Sequence, residues 1–242
     1  MMKNVAIILA GGSGTRVGGN LPKQFLQVAG KTVMEHCIEA FEHSADIDEI
    51  AIVSRADFVK DVQELVARNQ YTKVKHVLQG GKERYHSSLA ALAAYPDEDC
   101  NLLFHDCVRP LVSQRIIHDC VVALREFEAV DVAVPTTDTI IQLDENGCIA
   151  QIPPRAMLRN VQTPQGFRRG TIRRAFDLAL QDPAFLPTDD CSVIHRYLPE
   201  VQIHVVEGDA DNFKITYKSD LERAETLLGG RPARSSCFMK SM

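Results

Sequence analysis

The sequence contains no apolar run long enough to cross a membrane, no net positive charge and no C-x-x-C pair. Each absence removes a class of function. A spanning helix needs about 20 consecutive apolar residues. The first run here, residues 5–10, stops at Gly11-Gly12 and is also too short for a secretory signal core. The formal net charge of −5 leaves no global basic field to recruit nucleic acid or an acidic membrane. Any polyanion must therefore be held by a local cluster of cations. The seven cysteines, at positions 37, 100, 107, 120, 148, 191 and 237, are odd in number and scattered. That usage fits reduced thiols in a cytoplasmic protein rather than a disulfide framework or a zinc site.

What is present is strand–helix alternation. With 242 residues, 45% of them hydrophobic, the chain can bury the core of one large α/β domain. Apolar runs at 5–10, 50–53, 74–78, 102–104 and 130–134 read as strands. Amphipathic stretches lie between them: Val33, Met34, Cys37, Ile38 and Phe41 share a face behind a Thr32…Glu35 capping box. Phe58, Val62, Leu65 and Val66 repeat the period. A third helix is expected from near Ser87, and a fourth carries Ile116, Ile117, Cys120, Val121 and Leu124. This pattern predicts an α/β fold with a mostly parallel sheet and helices on both faces, whose ligands sit at the carboxyl ends of the strands. One segment departs from it. Residues 139–143 and 148–152 alternate around Asp144-Glu145-Asn146-Gly147 and read as a β-hairpin with an Asn-Gly turn. A lone hairpin is marginal in water, so this arm is expected to find a partner, most simply a second copy of the chain. The tail from Gly229 to Met242 lacks periodicity and is expected to be loosely ordered.

The loop after the first strand, Ala10-Gly11-Gly12-Ser13-Gly14-Thr15-Arg16, lets backbone amides approach an anion. Two common phosphate motifs are missing. The dinucleotide fingerprint would need glycine where Val17 stands, and a Walker A loop ending in Gly30-Lys31-Thr32 would need glycine where Phe25 stands. Arg16 and Lys23 are the only cations between residues 4 and 30. Glycine-loop amides with an Arg and a Lys on one segment suit a triphosphate: the amides cradle it, and the two cations neutralise charge that builds on phosphorus in a transition state.

The loop followed by Leu21-Pro22-Lys23-Gln24-Phe25-Leu26 resembles the start of the polyol-phosphate cytidylyltransferases, and the resemblance recurs to about Leu228. Two groups share the pattern: one acts on 2-C-methyl-D-erythritol 4-phosphate in isoprenoid synthesis, the other on ribitol 5-phosphate in cell-wall or capsule synthesis. The resemblance implies a Rossmann-like nucleotidyltransferase sheet over residues 1–228, with a β-arm at about 136–158 swapped between the subunits of a homodimer. It also implies CTP as nucleotide substrate and Mg²⁺ as cofactor. Arg16, Lys23, Arg155 and Lys214 become the catalytic cations. Ala10, Gly11, Gly12, Ser13, Gly14 and Thr15 become the phosphate cradle, and Gly81, Ser87 and Ser88 the nucleoside contacts.

His105-Asp106-Cys107-Val108-Arg109-Pro110 follows the 102–104 strand, where a carboxylate facing the loop is well placed to ligate Mg²⁺. The resemblance gives Asp106 that role, with Asn212 completing the metal shell. It gives Arg109 a substrate-side role and places Thr139, Thr163 and Thr188 around the acceptor. Cys107 reads as a packing residue, because no base or orienting group accompanies it. The implied chemistry is in-line attack of the acceptor's phosphate on the α-phosphorus of CTP, which needs no general base. Val108, Ile152-Pro153-Pro154-Arg155 and Val206-Glu207-Gly208-Asp209 lean towards ribitol 5-phosphate, with methylerythritol phosphate as the alternative acceptor. A hexose-1-phosphate nucleotidyltransferase and a non-catalytic nucleotide-binding protein are more distant readings.

Overall fold

The structure, a computed structural model, describes residues 2–12, 21–96 and 99–230. The chain runs β1 (Lys3–Ala10), β2 (Gln27–Val28), β3 (Lys31–Thr32), α1 (Val33–Glu42), β4 (Glu49–Ser54), α2 (Val59–Asn69), β5 (Val74–Gln79), α3 (Arg84–Ala94) and β6 (Cys100–Asp106). It continues through α4 (Gln114–Ala123), β7 (Ala129–Pro135), β8 (Gln142–Leu143), β9 (Ile149–Gln151), β10 (Arg159–Arg168), α5 (Arg169–Ala179), α6 (Asp190–Tyr197), β11 (Ile203–Glu207) and α7 (Lys218–Gly229).

Seven strands form the main sheet in the order β5-β4-β1-β6-β10-β7-β11. All neighbours are parallel except β10, which runs antiparallel to both β6 and β7. The continuous apolar run of β1 has a simple cause. Ala6, Ile8 and Ala10 enter one core with α1, α2 and α4, while Val5, Ile7 and Leu9 enter the other with α3, α5 and α6. A strand covered on both faces has no polar side.

Helix α1 begins where the capping box lies: Thr32 Oγ1 accepts from the Glu35 amide at 3.1 Å, and Glu35 accepts from the Thr32 amide at 2.7 Å. A cap of this kind contributes about 1 kcal/mol. Helix α3 differs from the sequence expectation. It starts at Arg84 with Glu83 as N-cap, which puts Ser87 a full turn inside it.

The arm forms, with shorter strands than its alternation suggests. Its loop is not a two-residue Asn-Gly turn. The Gly147 amide donates to Asp144 O and the Asp144 amide to Cys148 O. Gly147 alone takes the left-handed conformation, at φ 78°. This is a three-residue loop in which the glycine supplies the positive φ that closes the turn. Asp144 fixes it by accepting from the Asn146 and Cys148 amides. Gly229, assigned to a loose tail, is the last residue of α7, and residues 231–242 lie outside the described residues.

After β1 the chain builds outward to β4 and β5, then returns to the other side of β1 as β6. That reversal opens a crevice at the carboxyl ends of β1 and β6, where ligands of open α/β sheets bind.

Candidate active site

A cleft of about 530 Å³ occupies this position, lined on the β1 side by Ala10, Gly11, Gly12, Lys23 and Gln24. Gly81, Arg84 and Ser87 line it from the α3 side, and Asp106, Val108 and Lys214 from the β6 side. Ser13, Gly14, Thr15 and Arg16 lie outside the described residues. Gln24 pins the end of β1 by donating to Ala10 O at 2.8 Å. Gly80 and Gly81 are there for close approach. A Cβ on Gly80 would stand 2.5 Å from Ser87 Oγ, and one on Gly81 2.6 Å from His86 Cβ. No side chain fits between this turn and the helix that follows.

Asp106 is the electrostatic centre. Its carboxylate lies 2.9 Å from Lys214 Nζ, 3.8 Å from Arg109 Nε and 4.0 Å from Arg84 Nε. Burial opposes its ionisation, but Lys214, Arg84 and Arg109 outweigh that penalty and hold its pKa below the ordinary carboxylate value. With Lys23, Arg55 and Lys82 also on the wall, the cleft presents cations well in excess of carboxylates. It gathers the local cluster of cations that an acidic chain would need to hold a polyanion.

The 209–217 loop carries Lys214 to this point and is tied down at several atoms. Ile215 N donates to Val108 O at 2.9 Å, Lys23 Nζ to Ile215 O at 3.1 Å and Arg109 Nη1 to Asn212 O at 2.8 Å. These bonds explain how a lysine 108 positions from Asp106 in sequence comes to pair with it.

Several residues assigned to ligands face elsewhere. Thr163 lies under the cleft. His105 is fully buried, and burial lowers its pKa to about 4, so the ring is neutral at neutral pH. Its Nε2 faces the Arg109 carbonyl at 3.0 Å, which can only accept, so Nδ1 accepts from Thr163 Oγ1 at 2.9 Å. Thr163 Oγ1 in turn accepts from the Asp106 amide at 3.1 Å. The Thr163 hydroxyl is thus committed to holding Asp106. Asn212 is wholly buried: its Nδ2 donates to Gln162 Oε1 and Thr163 O and ties down the loop, while its Oδ1 has no hydrogen-bond partner among the described residues. Ser88, also buried, donates to Asp190 at 2.6 Å. Thr188 borders a separate 230 Å³ hollow beside Phe185 and Tyr197. Arg109 is largely buried and braces Asp106 and the loop from behind. Thr139 and Arg155, expected at a partner subunit's site rather than in this cleft, lie on the exposed arm, where Arg155 Nη1 donates to Thr137 O at 3.2 Å. Cys107 is buried in the core.

Sequence reasoning missed Arg84 and the carboxylate that holds it, Asp190. The signals were their neighbours: Arg84 stands between Gly81 and Ser87, and Asp190 two residues after Thr188.

Behind α6, Asp131 accepts from Gln165 at 3.1 Å in a buried setting. Burial, with Asp189 nearby, raises its pKa from 3.8 to about 6. The folded state therefore favours the protonated form, and the stability this provides is lost as pH rises through about 6. Asp131→Asn keeps an acceptor for Gln165 and removes the charge. It is expected to stabilise the protein at pH 8 by up to about 3 kcal/mol and to be neutral near pH 4. Thermal melts across pH check this, and an equal effect at both ends would contradict it.

A crevice at the sheet's switch point, glycine turns beside it and cations around one carboxylate are the parts that a nucleotidyltransferase needs. Residues 4–230 match the family described as "IspD: 2-C-methyl-D-erythritol 4-phosphate cytidylyltransferase". The chain is 48% identical over 229 residues to the 2-C-methyl-D-erythritol 4-phosphate cytidylyltransferase of Thermobifida fusca, covering 92% of each chain. It is 41% identical to the bifunctional ribulose 5-phosphate reductase/CDP-ribitol pyrophosphorylase Bcs1 of Haemophilus influenzae, over 95% of this chain and 49% of that protein. The crystal structure of 4-diphosphocytidyl-2C-methyl-D-erythritol synthase from Anaerococcus prevotii superposes with TM-score 0.84 at 28% identity, covering 94% of this chain and 96% of that one. The chain belongs to the 2-C-methyl-D-erythritol 4-phosphate cytidylyltransferase family and is a cytidylyltransferase.

Proposed function

We propose that the chain transfers CMP from CTP to 2-C-methyl-D-erythritol 4-phosphate in the cytoplasm. An acceptor phosphate oxygen attacks the α-phosphorus, the bond to the β-phosphate oxygen breaks, and pyrophosphate leaves as the CDP-alditol forms. The observation that carries the acceptor is the 48% identity to a relative of that name, which outweighs the sequence motifs leaning to ribitol 5-phosphate. Ribitol 5-phosphate stays as the second reading because the Haemophilus influenzae relative is 41% identical.

The roles follow from charge and position. Gly11 and Gly12 offer amides to the phosphates, and Lys23 and Arg16 neutralise the charge that builds on the α-phosphorus. Lys214, half-exposed beside Asp106, can turn to an acceptor phosphate. A phosphate nucleophile is already ionised at neutral pH, so catalysis is positioning and charge neutralisation.

The residues fit Mg²⁺ through one protein carboxylate. Among the described residues no three His, Cys, Asp or Glu side chains gather round a point, so Asp106 would hold the ion and the triphosphate would supply most of its other ligands. When bound, the ion supplies Lewis-acid neutralisation of phosphate charge. The buried Asn212 Oδ1, without a hydrogen-bond partner among the described residues, is the amide oxygen this reading keeps as a second ligand.

The arm supports a homodimer in which Thr139 and Arg155 reach the partner's acceptor site. Ile140, Ile141, Leu143, Ile149 and Ile152 are all exposed on it, a density of apolar surface that a lone hairpin does not leave in water.

Pyrophosphate release with CTP, Mg²⁺ and a panel of phosphorylated alditols tests the reading. Methylerythritol phosphate is expected to give kcat/KM at least ~10-fold above ribitol 5-phosphate, the scale of one well-placed polar contact. Turnover with ribitol 5-phosphate alone would reverse the acceptor.

A further inference from the structure

We infer that Arg84 is a further cation acting directly on the nucleotide phosphates, and that the buried carboxylate of Asp190 is the residue that positions it. The inference rests on the cytidylyltransferase reading of the cleft and adds to it two residues that lie outside the cradle, the acceptor contacts and the metal site.

Arg84 is the first residue of α3 and lines the cleft beside Gly81 and Asp106. Its side chain is 31% exposed, whereas that of Asp190 is 1% exposed. Nη1 lies 2.5 Å from Asp190 Oδ2, and among the described residues this is the only hydrogen bond the guanidinium makes. Nε points towards Asp106 without bonding it, at 4.0 Å. One edge of the fork is therefore anchored and the other is presented to the cleft. Arginine's donors are fixed in a plane, so holding one edge aims the rest at an oxyanion with little further loss of freedom.

Asp190 is built as an anchor. A buried carboxylate carries a desolvation penalty of several kcal/mol unless its lone pairs are taken up. Here Oδ2 takes Arg84 and Oδ1 takes the Ser88 hydroxyl at 2.6 Å. The Asp190 amide donates to Gln165 Oε1 at 3.2 Å, and Gln165 Nε2 donates to Asp131 and Asp189. Asp190 is thus fastened to β10 in the middle of the sheet, and its carboxylate reaches α3 across 106 positions of sequence. The arrangement accounts for the buried Ser88 hydroxyl as well. It holds the anchor, one turn away from the arginine.

Isothermal titration of CTP with Mg²⁺, together with steady-state kinetics, tests the inference in a cycle of Arg84→Ala, Asp190→Asn and the double variant. Arg84→Ala is expected to weaken CTP binding and lower kcat/KM for CTP at least ~10-fold, the scale of a charge-assisted bond, with the acceptor KM unchanged. Asp190→Asn should lower the same parameter by a smaller factor, and the double variant should be no worse than Arg84→Ala alone. Losses that multiply in the double variant would overturn the positioning role. So would an Asp190→Asn protein with a lowered Tm but unchanged CTP affinity. If Asp190→Asn fails to fold, Ser88→Ala takes its place in the cycle. It removes one bond to the anchor and leaves the ion pair, and the same non-additivity with Arg84→Ala is required. Wild-type protein that binds no CTP would instead sink the cytidylyltransferase reading itself, a result separate from any outcome of the cycle.

Discussion

Lys23→Ala is expected to lower turnover of CTP by at least ~10²-fold, the loss associated with removing one transition-state donor. Lys23 is almost wholly buried at the cleft wall, and its Nζ donates to Ile215 O. A lysine ammonium held in that setting acts in a water-poor environment, where its charge is screened less than on an open surface. The same bond clamps the loop carrying Lys214, so part of the effect could reach the acceptor side. Lys23→Met keeps the aliphatic bulk and so separates lost packing from the lost ammonium, while a raised acceptor KM reports the lost clamp on Ile215 O. If charge dominates, methionine loses as much kcat as alanine while CTP and acceptor KM values stay within a few-fold. Arg16→Ala carries the same expectation from the sequence alone. Near-normal turnover in the Lys23 variants would remove the lysine from the mechanism.

Asp106→Asn is expected to cost ~10²- to 10³-fold in kcat. Asparagine preserves the shape and the backbone amide that Thr163 holds, but not the charge against which Lys214, Arg84 and Arg109 are arranged. Losing that charge weakens the proposed hold on Mg²⁺ and frees Lys214 from its 2.9 Å contact. The dependence of rate on Mg²⁺ concentration should shift to higher metal in the variant. A rate within tenfold of wild type, with an unmoved metal dependence, would rule out Asp106 as the carboxylate that matters.

Much of this molecule was legible before any coordinates. The apolar run of β1, the Thr32 and Glu35 cap and the alternation of runs announce a sheet with helices on both faces, since each is a local consequence of burial or backbone satisfaction. The cleft's position follows from the same order. Other features were out of reach. Thr163 reads as a substrate hydroxyl, and nothing around it in sequence says that it lies on the antiparallel strand between β6 and β7. Ser87 and Ser88 are equally good hydroxyls in sequence. The helix starts at Arg84 rather than near Ser87, which turns Ser87 to the cleft and Ser88 to Asp190.

The acidic chain determined by itself that any polyanion must be held by a local cluster of cations, and the glycine loop with its two early cations pointed to the end of the first strand. The absence of a membrane run, a basic field and paired cysteines narrowed what that site could serve. Tertiary structure alone decided which polar side chains face a ligand and which hold the ones that do. Thr163 and Ser88 carry the right chemistry for binding but spend it on Asp106 and on Asp190. Partners so far apart in the chain leave no local pattern. They meet because burying a polar group obliges it to find one, and only the packed fold sets which one is within reach.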